Sequence, residues 1–302
     1  MYEAHFGLRE VPFSITPDTS FFFGSPHSQE GLNTLLVAAR SGEGFIKITG
    51  EVGTGKTLLC RKFMATLGEQ FVTAYVPNPY LEPRALMMAL ADELEIELPH
   101  DVDQHQLVKS LTFRLMELAA RGKQVVLCLD EAQALPLESL EALRLLTNLE
   151  TEKRKLLQIV LFGQPELNAH LASPQIRQLA QRITFHYHLG GLTRDDLDYY
   201  LAHRLRVAGF DGARLFSGRA VRRIWRATGG IPRLVNIVAH KALMLAYGEG
   251  RHVADHRHVA LAARDTIGAR SALGLRGLRW TWVASVAALA AAAGGITLAL
   301  TR

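Results

Sequence analysis

The sequence predicts an α/β fold: a mostly parallel sheet covered by helices on both faces, followed by a smaller helical bundle. Three observations predict it. First, five short apolar runs, Phe45–Thr49, Phe71–Val76, Val125–Leu129, Leu156–Phe162 and Ile183–Leu189, have the length of strands. Second, segments of helical periodicity separate them, at Ser28 to about Ala39, Leu58–Leu67, Arg84–Leu94, Gln106–Ala120 and Leu137–Leu149. Strands divided by helical crossovers pair in parallel, and a sheet buried on both faces reads as continuous apolar runs. Third, the strands stop after about Gly191. Thr193–Val207, Ser217–Ala227, Pro232–Tyr247 and Asp255–Thr266 then read as four helices, with Thr193 and Ser217 as N-caps and Asp196 three residues into the first. The division is therefore an N-terminal aromatic segment and helix at 1–44, an α/β core at 45–191, a helical bundle at 192–268, a linker at 269–279 and a last segment at 280–300.

Composition bounds the class. With 302 residues, 48% of them hydrophobic, the chain can bury a large core, which removes disordered and collagen-like classes. A net charge of +5 suits nucleic acid and an anionic membrane surface equally. Cys60 and Cys128 both sit in apolar runs without a C-x-x-C pair, which points to buried thiols in a reducing compartment. The opening MYEAHFGLREVPF lacks the basic head and apolar stretch of a secretory signal, so the bulk of the chain is expected in the cytoplasm. The far end differs. Trp280–Leu300 carries no charge over 21 residues, a helical length of roughly 31 Å that matches a bilayer core. Arg270, Arg276 and Arg279 precede it and only Arg302 follows, which places the preceding domain on the cytoplasmic side. A helix docked on the domain would show a polar face, and this segment has none. Small residues at Ala290/Gly294 and Ala291/Gly295 would allow close helix–helix approach.

The chemistry lies in two motifs. Gly50-Glu51-Val52-Gly53-Thr54-Gly55-Lys56-Thr57 matches G-x-x-x-x-G-K-T between a predicted strand and a predicted helix. Its glycines let backbone N–H groups turn in around phosphates, and the helix N-terminus, with Leu58 in its first turn, adds a positive dipole end. Lys56 supplies a charge to the β/γ-phosphates and the Thr57 hydroxyl a ligand for Mg²⁺. Val125–Leu129 delivers Asp130 and Glu131 at the carboxyl end of a strand, where open α/β sheets place ligands. Asp130 would hold Mg²⁺, directly or through water, and Glu131 would orient and deprotonate an attacking water. The absence of a guanine-reading N-K-x-D motif favours ATP.

Asp130-Glu131-Ala132-Gln133 resembles a known family, and other segments agree: Tyr2…Phe6-Gly7-Leu8…Pro12-Phe13…Pro17-Asp18…Phe21-Phe22-Phe23, Gly163-Gln164-Pro165-Glu166-Leu167 and Gly230-Ile231-Pro232-Arg233. Together they resemble the AAA+ secretion-ATPase family, which includes general secretion pathway protein A and the MSHA pilus biogenesis protein MshM. The resemblance covers roughly residues 1–268, and the membrane segment after the helical lid is also similar. It implies a P-loop AAA+ core of five parallel strands with a helical lid, ATP hydrolysis, ring or partial-ring homo-oligomers, and service to a type II secretion or type IV pilus-like envelope machine at the bacterial inner membrane. By the same resemblance Gln164 takes the sensor-1 position, although Asn, Thr or Ser is commoner there, and Arg233 the sensor-2 position. An arginine finger acting in trans should lie just before the fifth strand, where Arg182 is the first candidate and Arg177 the second. The aromatic segment would cap the adenine; from the residues alone it reads as hydrophobic packing. Nothing follows the membrane segment, so the peptidoglycan-binding module of longer members is expected to be absent.

Other groupings are weaker. His186 and His188 on the fifth strand, and His252, His256 and His258 near the last helix, lack the convergent acids or thiols of a metal site. The run Arg219, Arg222, Arg223 and Arg226 reads as a solvated helix face, or as a contact for a neighbouring subunit, lipid headgroups or nucleic acid. The leading expectation is a membrane-anchored ATPase. The rival is a nucleic-acid-dependent AAA+ ATPase resembling transposition regulators; the charge-free tail and the lack of an appended DNA-binding module stand against it.

Overall fold

The computed structural model describes residues 2–99, 101–148 and 155–269. The segment expected to span a membrane, 280–300, and the linker from residue 270 lie outside the described residues. Among the described residues no helix is long and apolar enough to cross a membrane.

In chain order the elements are α1 (Glu3–Phe6), α2 (Pro26–Arg40), β1 (Phe45–Thr49), α3 (Lys56–Thr66), β2 (Phe71–Val76), α4 (Pro83–Glu93) and α5 (Gln104–Ala120). They continue with β3 (Gln124–Leu129), α6 (Leu137–Leu146), β4 (Leu157–Gly163), α7 (Glu166–Leu171), α8 (Arg177–Ala180) and β5 (Ile183–His188). Last come α9 (Arg194–Val207), α10 (Gly218–Thr228), α11 (Pro232–Gly248) and α12 (His256–Arg264). Each predicted strand forms within one residue of its expected bounds. The short α1, α7 and α8 carried no period long enough to be read.

Contacts divide the described chain into two compact units: 15–207 with 231–233, and 2–14 with 208–230 and 234–269. The first holds the sheet, in order β2-β3-β4-β1-β5, with all neighbours parallel. Alternation along each strand fills two cores. Val125, Leu127 and Leu129 of β3, with Leu157, Ile159 and Leu161 of β4, join the α4–α6 side. Val126, Cys128, Val160 and Phe162 join α2 and α3 on the opposite face. Both faces being buried explains why these strands read as unbroken apolar runs. Cys60 and Cys128 are buried free thiols in the second core.

α9 belongs by contact to this unit, where the sequence division puts it after 191. Tyr200 and His203 meet Phe23 at ring distances of 5.7 and 5.6 Å, and the Arg204 guanidinium stacks over Phe21 at 4.6 Å. Its start is capped as predicted: Thr193 Oγ1 and Asp196 Oδ2 lie 2.5 Å apart, and the Asp196 N–H donates back to Thr193.

The second unit packs α10, α12 and most of α11 with residues 2–14. Tyr2, Phe6 and Phe13 are too apolar to stay solvated in an irregular segment and are buried here. Tyr2 OH meets His240 Nδ1 at 2.8 Å, and Phe13 lies edge-on to Phe216 at 5.8 Å. Ser217 caps α10 by accepting from the Ala220 N–H. Asp255 and His258 form a reciprocal cap on α12.

Candidate active site

The strand order brings the chemistry together. β3, β4 and β1 are adjacent, so the segments leaving their carboxyl ends, beginning at Gly50, Asp130 and Gln164, meet at one edge. Residues up to 114 positions apart in sequence thereby become neighbours.

After β1 the loop turns through Gly53 (φ +82°) and Gly55 (φ +101°), conformations that a side chain would strain. Gly50 is constrained by space: a Cβ there would lie 2.7 Å from Leu189 O and 2.8 Å from Thr54 Oγ1. Lys56, 5% exposed, folds its ammonium onto the loop, with Nζ donating to Gly50 O at 2.9 Å and Glu51 O at 3.1 Å. Burial lowers its pKa below the ordinary lysine value, against the raising pull of the Glu131, Asp130, Glu51 and Glu166 carboxylates. Glu51 and Val52 face solvent, Thr54 is buried, and Leu58 is half-buried in the first turn of α3. The loop therefore has the open backbone and single buried cation that phosphate groups require.

Thr57 Oγ1 donates to Asp130 Oδ2 at 2.5 Å, which sets a hydroxyl and a carboxylate side by side as oxygen donors of the kind Mg²⁺ takes. Asp130 is 2% exposed. Burial raises its pKa, opposed by hydrogen bonds from Thr57 and the Glu131 N–H. Tyr75 OH also reaches Asp130 Oδ2, at 3.4 Å, and burial pushes this phenol up to about 12. No sequence signal singled out Tyr75.

Glu131 adopts φ +52°, ψ +38°, left-handed backbone at a non-glycine residue. Its Oε2 accepts from Gln133 Nε2 at 2.6 Å and from Gln164 Nε2 at 3.1 Å. Gln133 bridges further, its Oε1 accepting from the Gln164 N–H at 3.0 Å. Burial pushes the Glu131 carboxyl up, but the two glutamine hydrogen bonds and the Lys56 charge outweigh it and hold the pKa below its ordinary value. Gln133 stood in the quoted motif without a role. Its partner Gln164 lies 31 residues on, and only the β3–β4 adjacency brings them together.

A family profile described as an AAA domain matches residues 39–171. General secretion pathway protein A of Aeromonas hydrophila is 43% identical over 270 residues, covering 89% of this chain and 49% of that protein. The chain carries an AAA domain and is similar to general secretion pathway protein A. It spans about half the length of that curated relative. Solved structures agree on the fold. The ORC2 protein of Aeropyrum pernix matches with TM-score 0.61 at 17% identity, over 83% of this chain and 72% of that one. Cdc6p of Pyrobaculum aerophilum gives 0.65 at 20%, over 83% and 71%. The RuvB Holliday junction branch migration motor of Thermotoga maritima gives 0.55 at 16%, over 83% and 72%.

The remaining expected site residues fall as follows. Arg233 comes to the glycine loop: its N–H donates to Gly53 O at 3.1 Å, and its Cβ lies 2.5 Å from where a Cβ on Gly53 would stand. Its guanidinium belongs to an exposed residue. Arg182 is half-buried and engaged within the chain, Nη1 donating to Asn148 Oδ1 at 2.6 Å and Thr147 Oγ1 at 3.3 Å beyond the end of α6. Arg177 opens α8 and is exposed. Of the aromatic run, Phe21 is buried beneath Arg204 and Phe22 lies 5.7 Å from Lys62 Nζ. Among the described residues no group of three or more His, Cys, Asp or Glu forms a metal cluster.

Proposed function

We propose that the chain binds ATP with Mg²⁺ in the glycine loop and hydrolyses it with water oriented by Glu131. The observation that carries this is the Glu131 carboxylate, clamped by Gln133 and Gln164 beside the Thr57–Asp130 pair. The loop N–H groups and Lys56 would bind the phosphates, Lys56 exchanging its carbonyl partners for phosphate oxygens. Thr57 and Asp130 would hold Mg²⁺, which when bound neutralises charge on the phosphate oxygens. The low pKa keeps Glu131 ionised at neutral pH, which suits orienting and polarising water more than storing a proton. Gln164, as sensor 1, would link that water to the γ-phosphate, and Arg233, as sensor 2, would reach it from the start of α11.

Beyond the site, we read the chain as a homo-oligomeric ATPase anchored in the bacterial inner membrane by Trp280–Leu300. It would support assembly of a type II secretion or type IV pilus-like machine with other envelope proteins. The charge-free segment and the relation to general secretion pathway protein A support this. The test is the full-length protein in membranes and in detergent. It should resist alkaline extraction, and its specific ATPase activity should rise with protein concentration. Extraction as a soluble protein would remove the anchor, and concentration-independent activity would remove the assembling site. Strong stimulation by DNA, with steep salt dependence, would favour the rival nucleic-acid-dependent reading.

A further inference from the structure

The second unit carries a cleft of about 270 Å³ lined by Arg219, Arg222, Arg223, Arg226 and His256, with no carboxylate in its wall. The four arginines recur at i, i+3, i+4 and i+7 on α10, so they form one stripe roughly 10 Å long. The opposite side of the helix buries Ala220, Val221, Ile224 and Ala227. Three of the arginines are exposed and Arg223 is half-buried. Among the described residues none of the four forms an ion pair. α10 carries these four arginines and no acidic residue.

We propose that this cleft binds the anionic headgroups of the membrane that the chain is anchored in. The proposal rests on the anchoring reading above. Fifteen residues lie between Arg264, the end of α12, and Trp280, so even a fully extended chain keeps the end of α12, the helix whose His256 lines the cleft, within roughly 55 Å of the start of the apolar segment. A patch of like charge held that close to an anionic leaflet is drawn to it. Arginine suits the ligand, because its planar fork takes phosphate oxygens in pairs. The lining contains no Phe, Tyr or Trp on which unpaired bases would stack, which favours headgroups over single-stranded nucleic acid.

The test uses the full-length protein in neutral detergent micelles, titrated with phosphatidylglycerol or with phosphatidylcholine. Thermal stability is the readout, since a ligand of the folded state raises it. Phosphatidylglycerol should stabilise the protein and phosphatidylcholine should not. Replacing all four arginines by Gln should weaken the apparent affinity by up to about a thousandfold, and a single Arg→Gln by about fivefold. The four-Lys variant keeps the charge and should recover most of the binding, which separates lost charge from a misfolded helix. Equal response to the two lipids, or an undiminished response in the four-Gln variant, overturns the proposal. So does tighter, arginine-dependent binding of a duplex oligonucleotide in fluorescence anisotropy, or saturation by inorganic phosphate alone at the same concentration as the lipid. Alkaline extraction of membranes holding the four-Gln variant tests the anchor separately: the variant should stay with the membrane even though its lipid response is gone.

Discussion

At the scale of single residues, the site depends on how Glu131 is held. Gln133 is a positioning residue: it touches the carboxylate and, through the Gln164 N–H, ties the end of β3 to the end of β4. Gln133→Ala should lower turnover roughly tenfold to a hundredfold through misplacement of the carboxylate. It should also move the acid limb of the pH–rate profile. The sign follows from the shift: Glu131 has a depressed pKa in the folded protein, so its ionised form persists as pH falls below the ordinary glutamate range. Losing a donor lets burial act with less opposition, and the acid limb should move up. A limb that stays in place, or moves down, would deny Gln133 this role. Gly53 makes a second case. Alanine there meets left-handed backbone, which costs about 1–2 kcal/mol by itself, and would collide with Arg233 Cβ. Gly53→Ala should lower thermal stability and weaken nucleotide binding together, as calorimetry and nucleotide titration would report.

At the scale of elements, the two arginines before β5 differ in what they already do. Arg182 closes the end of α6 through Thr147 and Asn148, whereas Arg177 is exposed at the start of α8. Arg182→Ala should therefore cost about 1–2 kcal/mol of stability from lost hydrogen bonds. Arg177→Ala should stay within about 0.5 kcal/mol. Turnover separates the roles: removing an arginine that serves as the proposed finger in trans should cost on the order of 10³-fold. If Arg177→Ala alone does so at unchanged stability, Arg177 is the finger and Arg182 a cap. The glycine loop and the Asp130-Glu131 pair were legible because each is contiguous and flanked by an unmistakable strand. The Gln133 bridge and the Arg182 cap were not, because each depends on which segments lie side by side, and sequence periodicity reports no strand order.

At the scale of the whole molecule, the α/β class, the five strands and the run of late helices could all be read from apolar runs and caps. The grouping of elements could not. Residues 2–14 cluster with α10–α12 because Tyr2, Phe6 and Phe13 find their burial there, while α9 clusters with the sheet unit through Tyr200, His203 and Arg204. Those partnerships join residues about 180 positions or more apart, beyond any local signal. The central claim concerns the proposed ATPase site, and one measurement tests it most directly: ATP binding and steady-state hydrolysis by Glu131→Gln beside the unaltered protein. The account predicts that the variant binds ATP with affinity within a few-fold of the parent while hydrolysis falls by at least about a hundredfold. Hydrolysis at the parental rate would contradict it, because water would then be oriented by some group other than Glu131.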